Sequence, residues 1–148
     1  MNERTTSDPQ ERQRVIHAET SLWTSAAGRD RDRLEWLLHD NFSAITCDGD
    51  LVSREAVVSS TARDVAVGDR TFSDWAFHEM PWPLVLVTYH LDEVDRCSQH
   101  TSIWDVSTGS ARLRFHQGTW VAEDEPAEDA QAEQLAGSAA ARAAGHGR

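Results

Sequence analysis

The sequence lacks most of the features that would assign a function directly. Its 148 residues include only two cysteines, Cys47 and Cys97, which are far apart and in no CxxC pattern. This spacing predicts neither a disulfide framework nor a zinc site, and we expect no metal and no cofactor. No apolar run approaches the roughly 18 residues of a membrane span, and the polar N-terminus has no signal-peptide core. These absences predict a cytoplasmic protein that makes no membrane contact.

Positive charge is also scarce. The 14 Lys and Arg residues face 25 Asp and Glu residues, and the net charge of −11 argues against nucleic acid as a partner. The acidic, Ala-rich segment 123–148 is predicted to be a disordered or weakly helical tail. With residues 1–9 as a flexible N-terminus, the chain is predicted to hold one domain over residues 10–122, long enough to bury a core.

Capping residues and apolar periodicity predict the order of the elements. Asp8 and Pro9 start a helix that ends near Gly28, and Asp30 caps a second, short helix. A strand over "NFSAIT", a turn at Asp48-Gly49 and a short helix after Ser53 follow. Four strand-length runs then occupy residues 71–120. The order predicts an α+β protein with one curved, mostly antiparallel sheet covered by helices.

The simplest hairpin registers assign residues to the two faces of this sheet. The hairpin before the last is centred near residues 94–95. Centring the last hairpin between residues 108 and 109 pairs 104 with 113, 102 with 115 and 100 with 117. Leu113 and Phe115 then belong to the core, Gln117 to the rim of a pocket, and His116 to the opposite face. A bulge would exchange the faces, and Gly118 is interpreted as a bulge or a close backbone approach.

Several segments resemble the nuclear transport factor 2-like (SnoaL-like) superfamily, in particular its domain of unknown function 4440 type. The similarity covers about Val15 to Val121 and is most specific in "TSIWDVSTG" and "RLRFHQGTW". It implies a cone-shaped fold, a homodimer, and a pocket between the first helix and the concave sheet. It implies no single reaction, because relatives include isomerases, cyclases, dehydratases and non-catalytic association domains.

Three positions depart from the pattern of that family. Members often carry Arg where this chain has His100, Trp where it has Ala111, and Pro where it has Trp120. A titratable histidine in place of a permanent cation changes the ligand preference that the resemblance would otherwise imply. The Asp and Tyr on which steroid isomerases depend have no recognisable counterpart here.

Glu19 and His100 are the candidate catalytic residues. Glu19 interrupts the apolar stripe of the first helix, where desolvation is expected to raise its pKa and make it an acid or base. The alternative is a structural hydrogen bond or ion pair, for example with His100. Trp23, Tyr89, Trp104 and Gln117 are the candidate ligand-binding residues, although the tryptophans could equally be core and the polar residues a satisfied cluster.

The resulting prediction is a domain that binds a small, partly apolar molecule and turns it over by cofactor-free acid–base chemistry of the isomerase, cyclase or dehydratase type. The alternative is a non-catalytic dimeric module that binds a partner protein. His116 is expected to serve structure or a dimer interface rather than chemistry.

Overall fold

A computed structural model describes residues 8–23, 30–60 and 69–122. Within these ranges the chain forms α1 (Pro9–Trp23), α2 (Arg31–Leu37), β1 (Leu38–Ile45), β2 (Leu51–Ser53), α3 (Arg54–Ser60), β3 (Thr71–His78), β4 (Leu84–Asp92), β5 (Cys97–Asp105) and β6 (Arg112–Trp120). The predicted N-terminal segment 1–9 lies almost wholly outside the described residues, as do the tail 123–148 and the predicted helix end at Gly28. No helix in the described ranges is long and apolar enough to cross a membrane.

The predicted capping residues start the helices as expected. Asp8 accepts a hydrogen bond from the backbone N–H of Gln10, and Asp30 accepts from those of Asp32 and Arg33. Ser53 accepts from the N–H of Ala56 at the start of α3. Each acceptor satisfies an N–H group that has no partner inside its helix, so short helices of 7 residues such as α2 and α3 begin at a defined position.

The strands form one six-stranded sheet in the order β2-β1-β6-β5-β4-β3. Every neighbouring pair is antiparallel except β1 and β6, which are parallel. The sheet is not closed on itself, and the helices pack against it, so the predicted α+β class with a mostly antiparallel sheet is confirmed. The predicted β4–β5 register is confirmed as well, since Tyr89 pairs with His100 and Val85 pairs with Trp104.

The β5–β6 register is partly wrong in the sequence-based prediction. Trp104 pairs with Leu113 as expected, but Ile103 then pairs with Phe115 and Ser102 with His116. One extra residue, Arg114, lies in β6 at this irregularity and forms a β-bulge. Because side chains alternate between faces, the extra residue reverses the facing of every position from Phe115 onward.

We call the sheet face that carries Val85, Val87, Tyr89 and Trp104 the inner face. Each of these side chains is buried, and the face packs against Val15 and Ala18 of α1. Further core residues come from α2, β1 and α3 (Leu34, Leu37, Leu38, Phe42, Ala44, Val58) and from the β5–β6 turn and β6 (Val106, Ala111, Leu113). One charged side chain, Glu19 of α1, lies within this apolar contact and is fully buried.

Candidate ligand site

Glu19 is the centre of a buried hydrogen-bond network. Its Oε1 accepts from the Tyr89 hydroxyl at 2.5 Å and from Ser102 Oγ at 2.9 Å. Its Oε2 accepts from Trp104 Nε1 at 2.7 Å. Three donors on two strands therefore hold both carboxylate oxygens, and this satisfies the requirement that a buried charge be hydrogen-bonded.

The pKa of Glu19 lies below the ordinary value of 4.5, which contradicts the expectation from the sequence. Burial alone raises this pKa, but hydrogen bonding to His116 and its charge, together with the bonds from Tyr89 and Ser102, outweigh the desolvation. The carboxyl group is consequently ionised at neutral pH. Glu19 therefore acts on its surroundings as a fixed negative charge rather than as a proton donor.

His116 connects this carboxylate to a second histidine. Its Nδ1 lies 3.4 Å from Glu19 Oε1 and 2.7 Å from Ser102 Oγ, and its Nε2 lies 3.0 Å from Nδ1 of His100. Nε2 of His100 in turn lies 2.7 Å from Ser98 Oγ. The two imidazoles thus form a continuous hydrogen-bonded chain from Glu19 to Ser98.

The donors in this chain fix the tautomers of the neutral rings. Ser102 gives its single hydroxyl proton to Glu19, so Nδ1 of His116 must donate to Ser102. The bare Nε2 of His116 then accepts from Nδ1 of His100, whose own Nε2 accepts from Ser98. If His116 gained a proton at Nε2, this nitrogen would donate to Nδ1 of His100. The proton of the neutral His100 ring would then lie on its Nε2 and be donated to Ser98. The network can therefore relay a proton between the rings.

Burial, followed by the charge of His116, lowers the pKa of His100 to about 4. His100 is therefore neutral at neutral pH. His116 is the ring in contact with the Glu19 carboxylate.

Aromatic rings cross the inner face in a continuous row, which we call the ring row (Phe72, Trp75, Tyr89, His100, His116). Successive ring centroids lie 6.0, 4.5, 5.1 and 5.1 Å apart, with interplanar angles of 28° or less. Trp75 faces Tyr89 from a β3 irregularity at which Asp74 adopts a positive φ of 57°. Trp23 contacts both imidazoles edge-on and donates from Nε1 to the Tyr89 hydroxyl at 2.9 Å.

A cavity of about 350 Å³ borders the last two members of the ring row. Its walls are mostly apolar, and its polar lining includes His100, His116 and Cys47. Burial raises the pKa of the Cys47 thiol, so this side chain is protonated there. The other lining residues come from α1, α2, β1, β2, α3 and β6 (Leu22, Trp23, Leu34, Leu38, Phe42, Ala44, Ile45, Thr46, Val52, Val57, Ser60, Leu113, Gly118).

Of the six site residues predicted from the sequence, some line the cavity and others do not. Trp23 and His100 line the cavity, whereas Tyr89 and Trp104 are buried behind the imidazoles as donors to Glu19. Glu19 itself is fully buried and is not among the lining residues. Glu19 and Tyr89 therefore contact lining residues rather than the cavity itself: Glu19 contacts His116, and Tyr89 contacts Trp23 and His100.

The predicted positions of Gln117 and His116 are wrong. The bulge at Arg114 turns Gln117 to the outer face, where it is exposed opposite Thr101, and brings His116 onto the inner face. Phe115, predicted to lie in the core, is half-buried on the outer face for the same reason. The alternation Ser98, His100, Ser102 was the available signal for polar partners on the inner face, since period-two spacing places these residues together.

Gly118 is confirmed as a close backbone approach. A Cβ at this position would lie 2.5 Å from Cys47 Sγ and 2.9 Å from His100 Cε1. Only a residue without a side chain allows the thiol and the imidazole to meet above β6.

A separate group of potential metal ligands lies at the β4–β5 hairpin, apart from the cavity. One ligand atom each from His90, Asp92 and Cys97 falls within 4.8 Å of the others. His90 Nε2 is already bonded to Asp92 at 3.1 Å, and Gln99 contacts its Nδ1. This group does not contain the His100–His116 pair, whose ring nitrogens bond to each other and to serines.

Comparison with known proteins identifies the fold. No family model matches the sequence, and no curated protein matches it. Solved structures do match: an NTF2-like protein from Cytophaga hutchinsonii is 19% identical with a TM-score of 0.62, covering 74% of this chain and 98% of that one. An NTF2-like protein of unknown function from Pseudomonas aeruginosa is 16% identical with a TM-score of 0.62, covering 75% and 98%.

A third structure, from Exiguobacterium sibiricum, is described as a putative Ca/calmodulin-dependent kinase II association domain. It is 13% identical with a TM-score of 0.58, covering 80% of this chain and 99% of that one. At these identities the likeness shows the fold. The chain has the NTF2-like, cone-shaped α+β architecture, and its function has to be argued from the site.

Proposed function

We propose that this chain is a small-molecule-binding domain of the SnoaL-like kind, whose ligand enters the 350 Å³ cavity and presents a polar group to His100 and His116. The observation that carries this proposal is the junction of an apolar cavity with an imidazole pair backed by a buried carboxylate. A mostly apolar pocket with a few convergent polar groups is the usual composition of ligand sites.

The same junction supports cofactor-free acid–base chemistry. His116 borders the cavity, and Glu19, whose Oε1 lies 3.4 Å from Nδ1 of His116, places a fixed negative charge beside this ring. All four ring nitrogens are hydrogen-bonded to each other or to serines, so in this proposal the bond between His100 and His116 opens to free one nitrogen, which exchanges a proton with the ligand, and Glu19 is a positioning residue. Isomerisation, cyclisation or dehydration each require such a proton transfer.

Binding can be tested with small alcohols and ketones that carry an apolar body, using benzyl alcohol, cyclohexylmethanol and 2-heptanone as probes. We expect shifts of the Trp23 indole and His116 ring resonances on titration, and a higher melting temperature. Ala44→Leu would fill the cavity and abolish both effects, whereas the exposed loop change Val94→Leu would not. If no probe perturbs Trp23 or His116, the proposal is contradicted.

A second candidate is a dimeric association module without catalysis. The observation in its favour is a row of half-buried apolar residues on the outer face, where Leu86, Ile103 and Phe115 are neighbours on three strands. An apolar sheet face of this kind is typically covered by a partner. We propose that a second copy covers it, and light scattering should then give about 33 kDa, twice the 16.5 kDa of the chain. A mass of one chain would refute the dimer.

A further inference from the structure

Strand pairing brings four side chains with hydrogen-bonding or metal-binding atoms together beside the β4–β5 turn. His90 lies opposite Gln99, and Asp92 lies opposite Cys97, in neighbouring pairs on the same hairpin. All four belong to the outer face, because the residues that alternate with them on both strands are the buried ones. One ligand atom each of His90, Asp92 and Cys97 consequently lies within 4.8 Å of the others.

We propose that His90, Asp92 and Cys97 form a binding site for a Zn²⁺ ion, with a fourth position open to water or to an added ligand. Imidazole nitrogen, carboxylate oxygen and thiolate sulfur are the ligand types that proteins supply to Zn²⁺. Mg²⁺ and Ca²⁺ are disfavoured because they prefer oxygen ligands throughout. Cross-strand pairing brings the ligands together, so the spacing of the cysteines along the sequence does not reveal them. The site is separate from the cavity and does not depend on the function proposed for it.

The distances between the ligand atoms fit Zn²⁺ after a small movement of the side chains. Tetrahedral bonds of about 2.0–2.3 Å place ligand atoms about 3.3–3.8 Å from one another. Atoms that lie within 4.8 Å of one another therefore have to approach by about 1 Å at most. The three side chains are exposed or partly exposed, so rotation about their own bonds can supply this movement. The regular pairing of the hairpin holds the backbone in place meanwhile.

Gln99 provides the second partner that a metal-bound histidine requires. Its side-chain Nε2 lies 2.8 Å from Nδ1 of His90, while Nε2 of the same ring lies 3.1 Å from Asp92 Oδ1. Because the amide nitrogen only donates, the proton of the neutral ring lies on Nε2 and is donated to Asp92. When Zn²⁺ binds Nε2, this proton moves to Nδ1, and a half-turn of the amide presents the Gln99 oxygen to accept it. The Cys97 thiol releases its proton to solvent. Metal-bound histidines typically donate from their second nitrogen in this way.

Co²⁺ is the spectroscopic probe for this site, because a Co²⁺–thiolate bond absorbs in the near ultraviolet. The full chain, purified without a histidine tag and treated with a chelator, is titrated with Co²⁺ and then with Zn²⁺. We expect one Co²⁺ per chain with a charge-transfer band, and loss of the band when Zn²⁺ displaces Co²⁺. Cys97→Ser should remove the band. Cys47→Ser, which changes the free thiol that lines the cavity, is the matched control and should keep it.

A second pair of variants separates metal binding by a carboxylate from the general effect of charge. Asp92→Asn and Asp95→Asn each remove one negative charge from an exposed position at the β4–β5 turn. In isothermal titration calorimetry with Zn²⁺, we expect Asp92→Asn to weaken binding by at least about tenfold and Asp95→Asn to leave it nearly unchanged. Gln99→Leu, which removes the partner of Nδ1, should weaken binding by about tenfold.

Several results would overturn the site. These are an absence of Zn²⁺ binding in the wild-type chain, a Co²⁺ band that persists in Cys97→Ser, and equal losses of affinity in Asp92→Asn and Asp95→Asn. Loss of the band in Cys47→Ser alone would place the metal in the cavity and would also overturn it. The wild-type titrations decide the question even if a variant fails to fold. Binding of the alcohol and ketone probes in the cavity is measured independently, so either proposal can fail without the other.

Discussion

Replacing Glu19 by glutamine removes the charge of the buried network while preserving its shape. Both oxygens of the carboxylate accept, from Tyr89 and Ser102 on one side and from Trp104 on the other. An indole N–H can only donate, so the new amide must turn its oxygen toward Trp104 and its NH₂ toward the two hydroxyls. The hydroxyls would have to rotate and accept, and the Tyr89 oxygen already accepts from Trp23.

The size of the effect follows from these contacts. A hydrogen bond to a charged group contributes about 1.5–3 kcal/mol, and a buried donor left without an acceptor costs about 1–3 kcal/mol. Because the rotated hydroxyls recover part of this loss, we expect Glu19→Gln to lower the free energy of unfolding by about 3 kcal/mol.

Urea unfolding, followed by far-UV circular dichroism at neutral pH, measures this difference. Glu55→Gln is the matched control, since Glu55 is exposed on α3 and its neutralisation should change the free energy of unfolding by less than about 0.5 kcal/mol. An equally small change in Glu19→Gln would refute the reasoning, because it would mean that the carboxylate charge is not held by its donors.

Three further outcomes are expected. Gly118→Ala should lower the free energy of unfolding by about 1–3 kcal/mol because its Cβ would overlap Cys47, and Cys47→Ala should restore part of the loss in a urea-unfolding double-mutant cycle. Burial and His116 lower the pKa of His100 from 6.5 to about 4, so the unfolded chain binds more protons between these values. The free energy of unfolding should therefore fall by about 3 kcal/mol as the pH decreases through this window. In His100→Gln this dependence on pH should be weaker. The same dependence in the variant as in the wild type would contradict the assignment of the lowered pKa to His100. Asp30→Ala should destabilise the protein by about 1 kcal/mol in urea, whereas unchanged stability would show that the cap is dispensable.

Local chemistry made much of the fold predictable from the sequence. Asp8, Asp30 and Ser53 each precede a helix and accept from its first free N–H groups, which is a short-range property of the chain. The β4–β5 hairpin keeps one residue opposite one residue along its whole length, so its register follows from the position of its turn. Glu19 was also correctly singled out as a charge in an apolar stripe.

The composition of the site was not predictable in the same way, because it depends on one extra residue in β6. The alternation of Leu113 and Phe115 favours an unbroken strand with both side chains in the core. The observed strand instead leaves Phe115 half-buried outside and places His116 next to Ser102. Satisfying the buried Glu19 carboxylate is a long-range requirement, and nothing within β6 itself expresses it.

Desolvation was also an incomplete guide to the ionisation of Glu19. The pKa depends on how many donors reach the carboxylate, and these come from β4, β5 and β6, which only the folded sheet brings to α1. A residue's position in a helix pattern indicates that it is buried, but its partners decide whether it is charged.

The bulge at Arg114 determines which side chain of β6 reaches the cavity, and the identities of the residues alone do not. With the same residues and no bulge, simple alternation from the Trp104–Leu113 pair would place Phe115 opposite Ser102 and turn His116 to the outer face. Relatives with the same residues in this strand can therefore differ in the chemistry of their cavities if they differ in this bulge. Their cavities are comparable only after the pairing of β5 with β6 has been established in each.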